Sequence, residues 1–178
     1  MIKLFFKLYT FFYIFYLRLV YHKQIEIRGK IKANRFFRVE LSRGSSLKIL
    51  GTLDVKENVL IAVRKNATLT IGRDCFFNRN CSVVVREKIE IGSDCMFGES
   101  VRIYDNNHLI ENGIIYKDKY NTKSIRIGDG CWIANDVNIL MGSKIPKKSV
   151  IAAMSLVNKE LEKTGIYAGV PVDYKKSI

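Results

Sequence analysis

Aliphatic side chains recur at every sixth position in the second half of the chain, and this spacing constrains the fold most. One register contains Ile127, Ile133, Ile139, Ile145, Ile151 and Val157. An α-helix repeats about every 3.6 residues and a strand about every two, so neither element alone produces this period. A period of six is typical of a β-solenoid in which three short strands form each triangular coil.

The same spacing continues upstream and indicates a solenoid over most of the chain. A first register contains Leu41, Leu47, Leu53, Val59, Ile71, Phe77, Val83 and Ile89, and a second contains Ile91, Phe97 and Ile103. Lys65 interrupts the first register, and the slip of two residues near Glu87 predicts a bulge or a widened corner. A β-sandwich would instead alternate over two residues, with turns about every 8–12 residues. The predicted fold class is therefore all-β.

The charge and the cysteines exclude several classes of protein. The 178 residues include 30 Lys and Arg against 17 Asp and Glu, a net charge of +13. No helix-turn-helix, RNA-binding or zinc-finger signature accompanies this charge, so we expect no nucleic-acid partner. Cys75, Cys81, Cys95 and Cys131 occupy small inward positions of the repeat and form no Cys-x-x-Cys pair. We therefore expect free thiols in a reducing cytoplasm, with neither disulfides nor a metal site.

The N-terminal segment, residues 1–21, differs in composition from the rest of the chain. Nine of its residues are Phe or Tyr, and the charge-free run from Leu8 to Leu17 has ten residues, whereas a spanning helix needs about 20. Lys3, Lys7, Thr10 and Arg18 fall close to one helical stripe. We predict an amphipathic helix over residues 1–22 that lies on an anionic membrane surface, at the inner face of the cell membrane. The alternatives are a helix that covers the open end of the solenoid and a tilted single span.

The repeat stops between Ile103 and Ile127 and then resumes in the same phase. We therefore divide the solenoid, residues 23–161, by an inserted loop over residues 105–124, with a tail over residues 162–178. The register places Ile103 and Asn107 inward and His108 outward. Loops that project from a rigid scaffold often carry function, so His108 is a candidate site residue.

Three segments resemble the hexapeptide-repeat, left-handed parallel β-helix acetyltransferases, especially the sugar O-acetyltransferases. They are residues 103–108, residues 125–143, and residues 150–159 followed by 166–171. The resemblance implies a homotrimer that binds acetyl-CoA in a groove between neighbouring solenoids. It also implies that His108 is the general base, and that Asp105 and Asn106 orient the imidazole or contact the acceptor sugar.

The resemblance further implies a set of cofactor contacts. Trp132 corresponds to an aromatic residue beside the acetyl group, and Lys159 and Lys175 are candidates for the cofactor phosphates. The remaining contacts are at the backbone around Ala134, Gly142, Ser143, Ala152 and Ala153. The chain departs from the family at Ala134, Ala152 and Met154, where glycine is frequent, and at Val172, where alanine is usual.

The expected function is therefore acetyl-CoA-dependent O-acetylation of a surface-polysaccharide or lipid-linked sugar, by direct attack with His108 as base. Two alternatives stay open: an N-acetyltransferase acting on an amino-sugar nucleotide, and a non-enzymatic membrane-bound β-solenoid scaffold. A γ-type carbonic anhydrase is excluded because it needs three metal-binding histidines, and this chain has two. Serine acetyltransferases carry a long helical domain ahead of the solenoid, which disfavours that class.

Overall fold

A helix followed by stacked triangular coils makes up the computed structural model, which describes residues 2–178, with side chains from residue 8 onward. Helix α1 spans Ile2–Val20. Four coils follow, formed by β1 Ile25–Ile27, β2 Ile31–Ala33, β3 Arg38–Leu41, β4 Ser46–Ile49, β5 Leu53–Val55, β6 Leu60–Val63, β7 Thr68–Ile71, β8 Cys75–Phe77, β9 Ser82–Val85, β10 Lys88–Ile91, β11 Met96–Phe97 and β12 Arg102–Tyr104.

An inserted pair of strands separates these coils from the last ones. The chain continues through β13 Asn106–Glu111, β14 Ile114–Thr122, β15 Ile125–Ile127, β16 Trp132–Ile133, β17 Asn138–Leu140, β18 Lys144–Ile145, β19 Val150–Ile151, β20 Leu156–Val157, β21 Ile166–Ala168 and β22 Asp173–Lys176. The segment after residue 161 therefore contains strands: β21 pairs in parallel with β19, and β22 pairs antiparallel with β21.

Three sheets form the faces of the prism. The first sheet has the order β1-β4-β7-β10-β15-β18, and the second has β2-β5-β8-β11-β16-β19-β21-β22. The third has β20-β17-β12-β9-β6-β3. Every pairing between coils is parallel, so each coil satisfies the backbone groups of the next. The all-β solenoid predicted from the six-residue period is confirmed.

The interior is a ladder of apolar side chains, as the registers predicted. All residues of the Ile127 register are buried, and Leu47, Leu53, Ile71 and Phe77 in the earlier register are fully buried. The rings of Phe77 and Phe97 stack with centroids 4.3 Å apart. Burial of each such side chain stabilises the fold by roughly 1.5–3 kcal/mol, so the ladder replaces a conventional globular core.

The coils in the first half of the chain are longer than the expected three hexapeptides. Leu47 pairs with Leu69, and Ile61 with Val83, so each of these coils exceeds that length by four residues. Two sides of such a coil carry three inward positions each, as in Val59, Ile61 and Val63. Only the later coils, in which Ile127 pairs with Ile145, have the length of three hexapeptides.

The register slip near Glu87 marks a shortened corner rather than a widened one. Strand β9 ends at Val85 and β10 begins at Lys88, so only Arg86 and Glu87 form the corner. The equivalent corner one coil earlier needs four residues, 64–67, between β6 and β7. The shorter corner makes this coil two residues shorter than the one before it, since Leu69 pairs with Ile89.

Glycines at one corner are required by the stacking of coils. A Cβ on Gly92 would lie 2.6 Å from the main-chain nitrogen of Asp129, and one on Gly128 would lie 2.5 Å from that of Lys147. Both distances are shorter than side chains tolerate. The backbone of the next coil therefore excludes a side chain here, and the left-handed corner positions are held instead by residues such as Asn80 and Asp94.

The four cysteines are free and buried, which confirms their predicted inward positions. The thiols of Cys75, Cys95 and Cys131 lie 3.1–3.2 Å from carbonyl oxygens of the following coil. Burial raises the pKa of the Cys81 thiol to about 11. In the part of the chain that the structure describes, no group of three His, Cys, Asp or Glu side chains could hold a metal ion.

Helix α1 packs on the first coil and covers the open end of the prism. The Thr10 hydroxyl donates to Ala33 O at 2.8 Å, and the Val39 N–H donates to the Tyr13 hydroxyl at 2.9 Å. Leu17 is fully buried in the core cluster. The side chains of Lys3 and Lys7, part of the predicted polar stripe, lie outside the described residues. No helix among the described residues has the length and apolarity to cross a membrane.

Candidate active site

The insertion between β12 and β15 is a β-hairpin that projects from one corner of the prism. Strands β13 and β14 pair antiparallel, with Asn106 opposite Thr122 and Glu111 opposite Ile114. Asn112 and Gly113 connect them with φ angles of 52° and 76°, the left-handed conformation of a two-residue hairpin turn. We call the edge between the third and first sheets, from which it projects, the hairpin corner.

His108 is exposed on β13, as the register predicted. Its Nδ1 lies 3.0 Å from the carbonyl oxygen of Tyr116 on the opposite strand. A carbonyl oxygen only accepts, so Nδ1 must carry the proton and donate it in this bond. The lone pair is then on Nε2, which is the arrangement that a general base requires.

Tyr120 contacts His108 from across the hairpin. Their ring centroids lie 4.6 Å apart, and the guanidinium carbon of Arg86 lies 3.3 Å from the Tyr120 centroid. A register shift between His108 and Ile110 places Tyr120 opposite His108. The Tyr120 hydroxyl donates to Lys117 O at 3.1 Å and so fixes the ring. The imidazole is therefore held by a hydrogen bond on one side and by an aromatic ring on another.

Asp105 is fully buried, and this corrects two sequence-based predictions. Its two carboxylate oxygens accept the main-chain N–H groups of Arg86 and Glu87, each at 2.8 Å. It thereby closes the shortened corner and is not placed to touch either the imidazole or an acceptor. The inward position belongs to Asp105 instead of Asn107, which is exposed, because alternation from Ile103 continues by two residues.

Asn106 supports this buried carboxylate. Its side-chain amide donates to Asp105 Oδ1 at 3.2 Å, and the nearby Lys123 N–H donates to Asp105 O at 3.0 Å. These bonds close the base of the hairpin where it leaves the prism. Asn106 and Asp105 thus position the hairpin on which His108 lies, and they act on the imidazole only through that backbone.

Gly142 and Ser143 lie at the same corner, one coil later, and both are buried. The Gly142 N–H donates to Lys123 O at 3.0 Å, and the Ser143 hydroxyl lies 2.6 Å from Leu140 O and 3.0 Å from Val157 O. Gly142 has a φ of 80°, which suits glycine. The Gly142 N–H and the Ser143 hydroxyl are thus used inside the coil, and a cofactor contact with the backbone around these two residues stays a prediction.

Trp132, Ala134 and Ala152 form a separate group on the second sheet and its edge with the third. Trp132 is 50% exposed and lies between Met96 and Val150 of the neighbouring coils. The N–H groups of Ala134 and Ala152 donate to Ile151 O and Tyr167 O. A ligand along this edge would meet alanine side chains, which leave room for a narrow chain, and the half-exposed indole.

Comparison with known proteins identifies relatives that are acetyltransferases. No protein-family model matches the chain. It is 30% identical over 107 residues to a galactoside O-acetyltransferase of Lactococcus lactis and 29% identical over 105 residues to one of Escherichia coli. The first match covers 60% of this chain, and the chain spans about half the length of these relatives, 52% in each case.

A solved structure extends the match to three dimensions. The hexapeptide-repeat acetyltransferase of Vibrio cholerae, in complex with acetyl coenzyme A, is 28% identical with a TM-score of 0.60. The alignment covers 66% of this chain and 64% of that one. The chain is therefore similar to the hexapeptide-repeat acetyltransferases in both sequence and fold. The parallel β-solenoid predicted from the sequence is thus a fold that the chain shares with this acetyltransferase.

The remaining predicted cofactor contacts are at the surface of the prism. Ala153 is exposed beside Ala152, and the exposed Lys175 lies on β22. Lys159 approaches Asp173 at 3.4 Å, an exposed ion pair that contributes little to stability. Lys159 and Lys175 both lie at the C-terminal end of the prism, the end that also carries Ala152.

Three residues near His108 were not predicted from the sequence. Tyr116 and Tyr120 lie on β14, and Arg86 lies on the adjacent corner. The pair Asn112-Gly113 between two stretches that contain isoleucine is a strong sequence signal for a hairpin, and it would have placed a strand opposite His108. It would not have selected Tyr120, because extra residues in β14 shift the pairing between the turn and His108.

Proposed function

We propose that the protein is an acetyl-CoA-dependent O-acetyltransferase that modifies a hydroxyl of a surface-polysaccharide or lipid-linked sugar. The observation that carries the proposal is the bond between His108 Nδ1 and Tyr116 O. It fixes the tautomer in which Nε2 is the acceptor, on an exposed residue of a rigid hairpin. The family supplies the donor, since the Vibrio cholerae relative is described in complex with acetyl coenzyme A.

In the proposed mechanism, Nε2 of His108 accepts the proton of the sugar hydroxyl as its oxygen attacks the thioester carbonyl carbon. The tetrahedral oxyanion collapses, the carbon–sulfur bond breaks, and the imidazolium returns the proton to the departing CoA thiolate. No acyl-enzyme forms, which agrees with the burial of all four cysteines. Imidazole suits this role because its ordinary pKa of about 6.5 is close to working pH.

We also propose that the active site is shared between protomers of a homotrimer. His108 lies at the hairpin corner, whereas Trp132 lies on the second sheet and Ala134 and Ala152 lie at its edge with the third sheet. The third sheet separates these two groups within one chain. A cyclic trimer in which the hairpin of one protomer faces the second sheet of its neighbour would unite them.

The experiment that tests this function is an acetyl-transfer assay on the purified chain. We expect acetyl-CoA to raise the melting temperature, and CoA thiol to be released when a sugar with free hydroxyls is added. Mass spectrometry should show one added acetyl group on the sugar. With glucosamine as acceptor, an alkali-labile product is an ester and an alkali-stable product is an amide, which separates O-transfer from N-transfer. Absence of both binding and transfer would support the scaffold alternative.

Helix α1 further supports attachment to an anionic membrane, as the N-terminal composition predicted. Its outer face exposes Phe11, Phe15 and Leu19, which are 66%, 62% and 68% accessible. A groove of about 990 Å³ between this face and the first coils is bordered by Arg18, Lys30, Lys32 and Lys56. An exposed aromatic patch beside cations fits the interface of an anionic bilayer.

We expect the protein to sediment with phosphatidylglycerol vesicles and to bind phosphatidylcholine vesicles more weakly. Burying one Phe in lipid contributes about 1.5–3 kcal/mol, so the double variant Phe11→Ser, Phe15→Ser should bind at least about tenfold more weakly. Ile178→Ser, which changes an exposed residue at the other end of the chain, is the matched control. Equal sedimentation of both variants would contradict attachment through α1.

A further inference from the structure

Arg86 lies next to the candidate base without a counter-ion. Its guanidinium carbon is 3.3 Å from the centroid of the Tyr120 ring, which in turn contacts His108. Its Nε is buried and has no hydrogen-bond partner. Within the described residues no carboxylate forms an ion pair with Arg86. A buried donor without a partner lowers the stability of the fold. The position of Arg86 is therefore not explained by a contribution to stability.

Arg64, one coil earlier, shows how the fold normally satisfies an arginine at this corner. Val63 and Val85 are register partners, so Arg64 and Arg86 follow equivalent strand ends. Arg64 Nη1 binds Glu40 Oε2 at 3.1 Å on the preceding coil. One coil later, the position equivalent to Glu40 is occupied by Ala62, which is completely buried. Arg86 therefore has no carboxylate at this position. The chain therefore retains the arginine and lacks the carboxylate that would neutralise it.

The main chain of Arg86 is nevertheless fixed. Asp105 accepts its N–H and that of Glu87, and the aromatic face of Tyr120 holds the guanidinium from one side. A planar guanidinium held in this way keeps its two Nη groups as a pair of donors, which matches the geometry of a carboxylate or phosphate. The Tyr120 ring lies in contact with both Arg86 and His108, so a single aromatic ring separates the guanidinium from the imidazole.

We propose that Arg86 binds an oxyanion of the acceptor, so that the sugar which presents its hydroxyl to His108 is acidic. The oxyanion is the carboxylate of an acidic sugar or the phosphate of a sugar phosphate or sugar nucleotide. This inference rests on the proposed function for the identity of the acceptor site. The oxyanion site itself is defined by Arg86 and Tyr120 and is measurable without turnover.

Binding of matched ligands by saturation-transfer NMR tests the proposal directly. Methyl β-D-glucuronide and methyl β-D-glucoside differ in one carboxylate, and glucose 1-phosphate and UDP-glucose represent the phosphate sources. We expect the wild-type chain to bind at least one charged ligand about 10- to 100-fold more tightly than the neutral glucoside, as a charge-assisted pair allows. The charged ligand with the lowest Kd identifies the oxyanion, and equal affinity for all four overturns the proposal.

Variants then assign the effect to Arg86. We expect Arg86→Gln to abolish the preference for the charged ligand and Arg86→Lys to restore part of it, while the Kd for acetyl-CoA stays unchanged. Arg64→Gln, which loses an ion pair at the equivalent corner, should keep the preference. If Arg86→Gln instead weakens acetyl-CoA binding alone, the arginine serves the donor and the proposal is wrong. If Arg86→Gln does not fold, the proposal is tested by the affinities of the wild-type chain and of Arg86→Lys for the charged and neutral ligands.

The same measurements separate this inference from the proposed function. Selective binding of the charged ligand without acetyl transfer would leave the oxyanion site in place and remove the acetyltransferase assignment. Acetyl transfer to methyl β-D-glucoside and methyl β-D-glucuronide at equal kcat/KM would keep the enzyme and overturn the role of Arg86.

Discussion

Replacing His108 with glutamine is expected to lower kcat for acetyl transfer by about 10²- to 10⁴-fold, the usual contribution of a general base. Glutamine can still hydrogen-bond to Tyr116 O but cannot accept the hydroxyl proton. Binding of acetyl-CoA and the melting temperature should stay close to those of the wild type, because His108 is exposed. Steady-state release of CoA thiol with a soluble sugar measures the effect.

His22→Gln is the matched control, since His22 is the second histidine in the chain and is also exposed. Its turnover should equal that of the wild type. Co-expression of His108→Gln chains with Trp132→Ala chains tests whether the site is shared. In a mixed cyclic trimer, up to about a quarter of the interfaces would combine an intact histidine with an intact tryptophan. Full activity of His108→Gln would refute the base, and no recovery on mixing would place the whole site in one chain.

Replacing Asp105 with alanine should destabilise the fold by about 3 kcal/mol or more, because it leaves two main-chain N–H groups at the corner without acceptors. Those groups belong to Arg86 and Glu87, in the corner from which Arg86 extends. Urea unfolding measures the loss, with every variant at the same protein concentration so that their unfolding free energies can be compared. Acetyl transfer should fall as well, because the base of the hairpin loses its anchor.

Asp54→Ala removes a carboxylate from a partly exposed pair with Lys56 at 3.2 Å and should cost no more than about 1 kcal/mol. Asp105→Asn keeps one acceptor and should fall between these variants. A loss for Asp105→Ala no larger than that for Asp54→Ala would show that the corner does not need the carboxylate. A large loss of activity in a stable Asp105→Ala variant would instead return Asp105 to a direct catalytic role.

The sequence was sufficient for the interior of the solenoid but not for its dimensions. Burial at Leu47, Leu53 and Ile71 followed from the apolar period, because inward and outward side chains must alternate on each strand. The length of a coil depends instead on its corners. The corner Arg86-Glu87 has two residues and the corner one coil earlier has four. Both numbers are even, so inward and outward side chains continue to alternate across either corner. The pattern of buried residues alone therefore does not separate coils of different length.

The candidate site could be predicted only in part. The outward position of His108 followed from the register, and it is confirmed. The contacts that give the imidazole its properties, Tyr116 O and the Tyr120 ring, depend on an irregular pairing within the hairpin. The burial of Asp105 was missed because the repeat predicts an apolar residue at an inward position. Asp105 is buried because its carboxylate accepts two main-chain N–H groups of the preceding coil.

The packing of α1 on the first coil covers strands that could otherwise pair with another chain. A parallel solenoid ends in a rim of strands whose hydrogen-bonding groups could add another coil, and an uncovered rim is a template for end-to-end growth. Thr10 and Tyr13 occupy such groups at Ala33 and Val39. A variant that lacks residues 1–21 is therefore expected to form filaments, which would sediment in the absence of lipid. Substitutions on the outward aromatic face of α1 leave the hydrogen bonds of Thr10 and Tyr13 to the first coil in place. Such variants therefore distinguish binding to a bilayer from self-association.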